Sequence, residues 1–172
     1  EGGRAIYENI ITFVRFQLTT NISAIFTILI AQLAGFGALF NAIQILFVNI
    51  IADGPPAIAL GVDPSKPGVM NRRPRARDEV ILSLPRLARI VASAAVITVG
   101  TLAIYIAFRD GNREEALTMA FSSFVFFQLV NSFCVRSGDE TVFSRYSLST
   151  RPLLYALAGV IAMQIVVVQV PF

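Results

Sequence analysis

The sequence predicts an all-α fold: a polytopic transmembrane bundle of about five spans with its N-terminus on the cytoplasmic side. Three observations carry that reading. Of 172 residues, 55% are hydrophobic and only 15% charged, with a mean hydropathy of +0.69, whereas soluble domains carry about 25% charged residues. The charges also cluster. No Asp, Glu, Lys or Arg lies between Arg15 and Asp53, and further charge-free runs cover 90–108, 116–135 and 152–172. Each is close to the roughly 20 residues that a helix needs to cross the hydrocarbon core. Finally, the basic residues divide unevenly. The first segment, the 62–89 loop and the 136–151 loop hold 2, 7 and 3 of the 14 Lys and Arg, and the connections on the other side hold only Arg109 and Arg113. That asymmetry places the first segment and both of these loops in the cytoplasm and ends the fifth span outside.

Several function classes drop out at once. Seven of the basic residues lie between Lys66 and Arg89, the pattern of a cytoplasmic loop rather than of a nucleic-acid surface. A lone Cys134 and the absence of His leave a disulfide scaffold or a clustered zinc or copper site almost without ligands. A soluble enzyme is excluded by composition.

The elements follow in order. The opening Glu1 to Asn9 is polar, does not begin with Met and lacks the basic start and apolar core of a signal peptide; the chain is expected to begin within a larger protein. Ile6, Ile10, Phe13, Val14 and Leu18 recur at helical spacing, and from Ile22 to Leu33 the pattern is apolar nearly all round. One long helix is expected, a cytoplasmic stalk over 1–20 continuous with a first span of about 20–36. Gly35 and Gly37 make a tight turn into a second span, about 41–60. A Pro-rich basic loop follows, from Val62 through Arg72, Arg73, Arg75 and Arg77, without helical periodicity. It is a solvated face that can also meet anionic headgroups or a cytoplasmic domain. Pro85 suits the first turn of a third span, about 86–108. Asn112 and Glu115 have capping-box spacing and open a fourth span, about 115–135. A polar loop, 136–151, leads to a fifth span, about 152–170.

Asp53 is the most informative residue. It falls inside the second span, where an ionised carboxylate costs at least about 2.5–3.5 kcal/mol unless compensated. Asn49 lies four residues earlier, on the same face of a regular helix. Gly54, Pro55 and Pro56 follow directly, and two prolines remove two backbone donors, leaving carbonyls of the second span unpaired. Free carbonyls at membrane depth occur only where they are buried in protein or line a cavity. A carboxylate, an amide oxygen and unwound carbonyls are the ligands that hard cations such as calcium, magnesium or manganese take. The competing reading is a capped or protonated carboxyl at a proline kink.

Weaker candidates lie on the other spans. Asn21 sits near the depth where the first helix becomes almost wholly apolar, with Thr19, Thr20 and Ser23 as interhelical glue. Gln128, Asn131 and Ser132 share a face of the fourth span; for Gln128 an interhelical hydrogen bond and ion contact weigh equally. Gln164 reads as packing, Tyr105 and Tyr155 as bundle or interface residues, and Phe124, Phe126 and Phe127 as lipid-facing or packing bulk.

These residues resemble a known family. Gly3-Arg4-Ala5-Ile6-Tyr7-Glu8-Asn9-Ile10 with Phe13-Val14-Arg15-Phe16-Gln17-Leu18 is similar to the start of the fifth span of P-type cation-transporting ATPases. The run Asn41 to Ala57, with Asn49 and Asp53-Gly54-Pro55-Pro56, is similar to the sixth span. Leu60-Gly61-Val62-Asp63-Pro64, the Arg72–Arg75 loop, Met119-Ala120-Phe121, Phe124-Val125-Phe126-Phe127 and Asn131 continue the match over essentially the whole chain. The branch it most resembles is the secretory-pathway type of calcium pump and its bacterial relatives.

The resemblance implies that residues 1–172 are the C-terminal membrane part, spans five to nine, with the tenth absent. Asn49 and Asp53 would be direct cation ligands, Asn21 would match a ligand position of the fifth span, and an acidic residue and carbonyls would come from a fourth span outside this chain. Two-site calcium pumps of the family have Glu where Ala24 stands, Thr at Ala52 and Glu at Gln128; their loss here points to one calcium per cycle. Ile58 stands where the secretory-pathway branch commonly has Gln, which weakens the expectation of manganese transport. The parent enzyme would use magnesium and ATP at a phosphorylated Asp-Lys-Thr-Gly motif and a nucleotide-binding domain, neither of which occurs in these residues. The implied partners are the lipid bilayer and the remaining spans and cytoplasmic domains of the same pump, with no nucleic acid. The implied location is a bacterial plasma membrane or a eukaryotic secretory-pathway membrane. Alternatives of other kinds are a non-catalytic membrane scaffold or accessory subunit with the same fold, and a pump for magnesium, manganese, sodium or protons.

Overall fold

A computed structural model describes residues 2–64, 82–137 and 151–169. The basic Arg72–Arg77 stretch and most of the 136–151 connection lie outside the described residues. Among those described, every regular element is helical, and five helical units are long and apolar enough to cross a membrane.

Helix α1 runs unbroken from Gly2 to Leu33, since no proline interrupts it. It ends in a Schellman motif: Gly35 N–H donates to Gln32 C=O at 3.1 Å and Phe36 N–H to Ala31 C=O at 2.9 Å, with Gly35 at φ 75°. Only glycine takes this left-handed conformation without a Cβ penalty. Gly37, at φ 80°, completes the reversal. Asn41 then starts α2 (Ala42–Phe47) with a full capping box. Its side chain accepts from Gln44 N–H at 2.7 Å, and Gln44 Oε1 accepts from Asn41 N–H at 3.0 Å.

The unwinding expected at the prolines of the second span does not occur; the span changes register instead. A π-helical turn, Val48–Ala52, follows α2 directly, and Asp53 N–H closes it on Val48 C=O at 2.9 Å. Helix α3 (Gly54–Gly61) starts immediately after, with Pro55 and Pro56 in its first turn. First-turn N–H groups have no intrahelical acceptor, so proline costs little there. The prolines still leave a mark. Neither the α nor the π register offers the Ile51 carbonyl a donor, because those donors would be Pro55 and Pro56.

Helix α4 (Leu84–Phe108) carries Pro85 in its first turn. It pairs with α5 (Arg113–Ser137) through the short Arg109–Asn112 turn, so the two are antiparallel neighbours. Asn112 caps α5, but its Oδ1 accepts from Glu114 N–H at 3.0 Å, and Glu115 meets the Asn112 side-chain amide at 3.4 Å rather than its backbone. Helix α6 (Arg151–Gln169) packs on α3 and, more lightly, on α5 and the π turn.

The core is apolar and aromatic. Phe16, Leu60, Phe121, Phe124, Leu153 and Val160 are fully buried. The Phe40 ring lies 6.1 Å from Phe121 and 5.1 Å from Phe124, and Phe47 lies 5.8 Å from Phe121, spacings at which aromatic pairs attract. At the α1–α2 turn, Phe36 sits between Tyr105, 5.4 Å away, and the Arg109 guanidinium, 5.3 Å from its centroid. Many Ile, Leu, Val and Phe side chains remain on the outer surface, on every helix. In lipid that arrangement is favourable, because the backbone polar groups are satisfied inside each helix.

Candidate cation site

Asp53 lies at the joint between the π turn and α3, and only 1% of it is exposed. Among the described residues, neither carboxylate oxygen has a hydrogen-bond partner. Thr20 of α1 approaches the carboxylate, but its hydroxyl donates to Gln17 C=O at 3.0 Å in its own helix. Leaving a buried polar group unpartnered costs about 1–3 kcal/mol and more when it is charged, so this carboxyl works against the stability of the fold. Two residues earlier in the same span, the Ile51 carbonyl has prolines in place of its α and π donors.

Gln128 is fully buried, and both its amide atoms lack partners; the Nδ2 of Asn131, on the next turn, is also unpartnered. Helix α5, which carries them, packs against the π turn. Ser132, on the same face, donates to Leu129 C=O at 2.6 Å.

Asn49 and Asn21 are placed differently. Both are exposed on the described chain. A π turn holds more residues than an α turn, so four residues fall short of a full revolution. Asn49 faces outward while Asp53 faces in, and the shared face of a regular helix is lost. Asn21 points outward beside Ile25, 61% exposed, while its neighbours Thr20 and Ser23 are buried. The structure therefore buries Asp53 and the α5 amides and leaves the two asparagines on outer faces. Among the described residues there is no cluster of three or more His, Cys, Asp or Glu, so any cation held here would depend mainly on uncharged oxygens.

Other sequence readings resolve simply. Thr19 donates to Arg15 C=O and Ser23 to Thr20 C=O, each at 2.8 Å, while Thr98 of α4 reaches across to Ser23 C=O at 3.3 Å. Gln164 Nε2 donates to Ser122 Oγ at 3.2 Å. Tyr105 is buried and Tyr155 exposed; Phe124 is buried and Phe126 outward-facing.

One pair escaped the sequence reading. Arg136 belongs to α5, not to the following loop, and is buried. Its Nε and Nη2 grip the Asp63 carboxylate at 2.8 and 3.3 Å. A signal existed: Phe121, Phe124, Val125, Gln128, Ser132 and Val135 form a buried stripe at helical spacing, and Arg136 continues it by one step.

Comparison with known proteins shows the family of the chain. Residues 37–172 match the family described as cation transporting ATPase, C-terminus. The chain is 38% identical to "Calcium-transporting ATPase 1" of Yarrowia lipolytica over 174 residues, covering 100% of the chain and 19% of the relative. It is 40% identical to "Calcium-transporting ATPase type 2C member 2" of Mus musculus, covering 99% of the chain and 18% of the relative. It is likewise 40% identical to "Calcium-transporting ATPase type 2C member 1" of Homo sapiens, covering 99% of the chain and 19% of the relative. The chain thus spans about a fifth of the length of the curated relatives it matches. With a match over most of its length, the chain belongs to the C-terminal transmembrane family of cation-transporting ATPases.

Proposed function

We propose that the chain supplies half of the ion pathway of an ATP-driven calcium pump, with one ion bound per cycle. The observation that carries the proposal is Asp53: a buried carboxyl without a partner, at the junction of a π turn and a proline-started helix. Intramembrane acids of this kind are functional far more often than structural. Oxygen ligands suit calcium, and the relatives' names add that ion as the one to test.

In this reading Asp53 is the charged ligand, the Ile51 carbonyl and Gln128 offer neutral oxygens, and Asn21 and Asn49 face the ligand-bearing spans outside this chain. The N-terminus of α1 is cytoplasmic, as the basic loops require. Its stalk then lies where a phosphorylated domain would push on it, with magnesium and ATP bound outside these residues. Two states of different calcium affinity follow from two positions of α1 and α3, and ATP drives the exchange between them. The bilayer is that of a secretory-pathway compartment or a bacterial cell.

The test is calcium-dependent phosphorylation of the intact protein by ATP. Asp53→Asn is expected to abolish it, or to raise half-saturating calcium by at least 100-fold. A variant with wild-type calcium dependence would overturn the assignment. Repeating the assay with magnesium held constant and manganese or sodium replacing calcium identifies the ion.

A further inference from the structure

The ion pair between Asp63 and Arg136 has a use that burial alone does not explain. Asp63 stands ten residues after Asp53, at the far end of the short α3 helix. Two other helices hold it. From α5, Arg136 donates two bonds to its carboxylate, at 2.8 and 3.3 Å. From α1, Asn9 Nδ2 donates to the Asp63 backbone carbonyl at 2.8 Å and to the Gly61 carbonyl at 3.2 Å. The Gly61 carbonyl is one of the helix-terminal acceptors left over by α3, so Asn9 also caps that helix.

We infer that Asn9, Asp63 and Arg136 form a clamp that sets the position of α3 against α1 and α5, and through α3 the position of Asp53. These are positioning residues. The inference rests on the reading of Asp53 as a cation ligand.

Three features support it. Helix α3 is a stiff lever: eight residues without a break, about 12 Å long at 1.5 Å per residue. At the opposite end from the clamp is the π turn, a register defect of the kind found at functional sites. It can take up or release a residue, so it serves as the joint about which the lever swings. Finally, a buried Arg–carboxylate pair gives little stability over apolar residues of the same size, but it fixes one arrangement of the elements that carry it. A bidentate fork fixes direction as well as distance. Motion of the α1 stalk is then delivered to α3 through Asn9, while Arg136 keeps the lever on its α5 bearing.

The experiment uses the intact protein and the double variant Asp63→Leu/Arg136→Met, which removes both charges and keeps the volume, so that the fold survives. Asn9→Leu is the second variant. Half-saturating calcium and half-saturating ATP are measured for phosphorylation, with Asp53→Asn alongside. A spin label on Cys134, exposed on α5, and another on Ile58→Cys, 69% exposed on α3, report the distance across the clamp. The expected result is a shifted or broadened distance together with a calcium requirement raised tenfold or more, and an ATP requirement within twofold of wild type. An unchanged distance overturns the clamp. A changed distance with unchanged calcium dependence overturns its link to the site if Asp53→Asn is impaired. If Asp53→Asn also behaves as wild type, it is the cation-site reading that fails and not the clamp.

Discussion

The ring of Phe127 occupies the space above Gly100, so that a Cβ at Gly100 would lie 2.7 Å from two of its carbons. Here α4 and α5 are in direct contact. Alanine is worth about 1 kcal/mol more than glycine within a helix, and by propensity alone Gly100→Ala would stabilise. Overpacking of this kind costs about 1–3 kcal/mol, and the contact is expected to win. Gly100→Ala should lower the thermal midpoint of the detergent-solubilised protein, and Gly100→Ala/Phe127→Leu should recover part of the loss. A higher midpoint for the single variant would show that the ring moves aside freely.

Single changes at the buried ion pair should be far worse than the double. Asp63→Leu takes the bidentate carboxylate away from the buried Arg136 guanidinium, and breaking one side of such a pair costs about 3–5 kcal/mol. Asp63→Leu/Arg136→Met should restore most of the stability. Thermal unfolding of the three proteins checks this, and equal losses in single and double variants would mean that the pair is solvated.

Asp53 should show the opposite balance between stability and activity. Asp53→Leu removes a buried, unpartnered carboxyl and fills its place with apolar atoms. The variant is expected to unfold at the same temperature as wild type or higher, by the equivalent of about 1–2 kcal/mol, while calcium-dependent phosphorylation disappears. Loss of both together would identify Asp53 as a structural residue.

Gln128 raises the same question without the charge. Because neither amide atom has a partner among the described residues, Gln128→Leu should leave the thermal midpoint at or above that of wild type, since it removes a buried, unpartnered polar group. Half-saturating calcium should rise several-fold. An unaltered calcium requirement would remove Gln128 from the site.

The turn after α1 offers a purely conformational test. Around Gly35 nothing lies within 4 Å of an added Cβ, yet its φ is +75°. Gly35→Ala should therefore lose about 1 kcal/mol through backbone strain alone, and Gly35→Asn less, since Asn tolerates this region. Melting curves in one detergent distinguish the two.

Much of the bundle was legible in the residues. Charge-free runs of membrane length marked the helices, and Gly35, Asn112 and Pro85 marked ends that the structure keeps. Asp53 stood out because a lone acid in an apolar span has few explanations. The register change at Val48–Ala52 was not legible, because proline signals a lost donor and does not say whether the helix unwinds or shifts to i→i+5 bonding. Arg136 was hidden for a related reason. A basic residue at a span's end reads as a loop charge unless its partner, 73 positions earlier, is known to be near.

What the chain's residues determined alone is local: the length of each helix, its caps and turns, and the presence of one acid within the membrane. Hydropathy, backbone donors and side-chain chemistry act over a few residues, so they can be read in order. Only the tertiary structure decided which oxygens are left without partners, that Asn49 turns away from Asp53, and that Asp63 is held from two sides. Those outcomes depend on how helices distant in sequence pack, and packing is set by shapes and distances that no single segment contains.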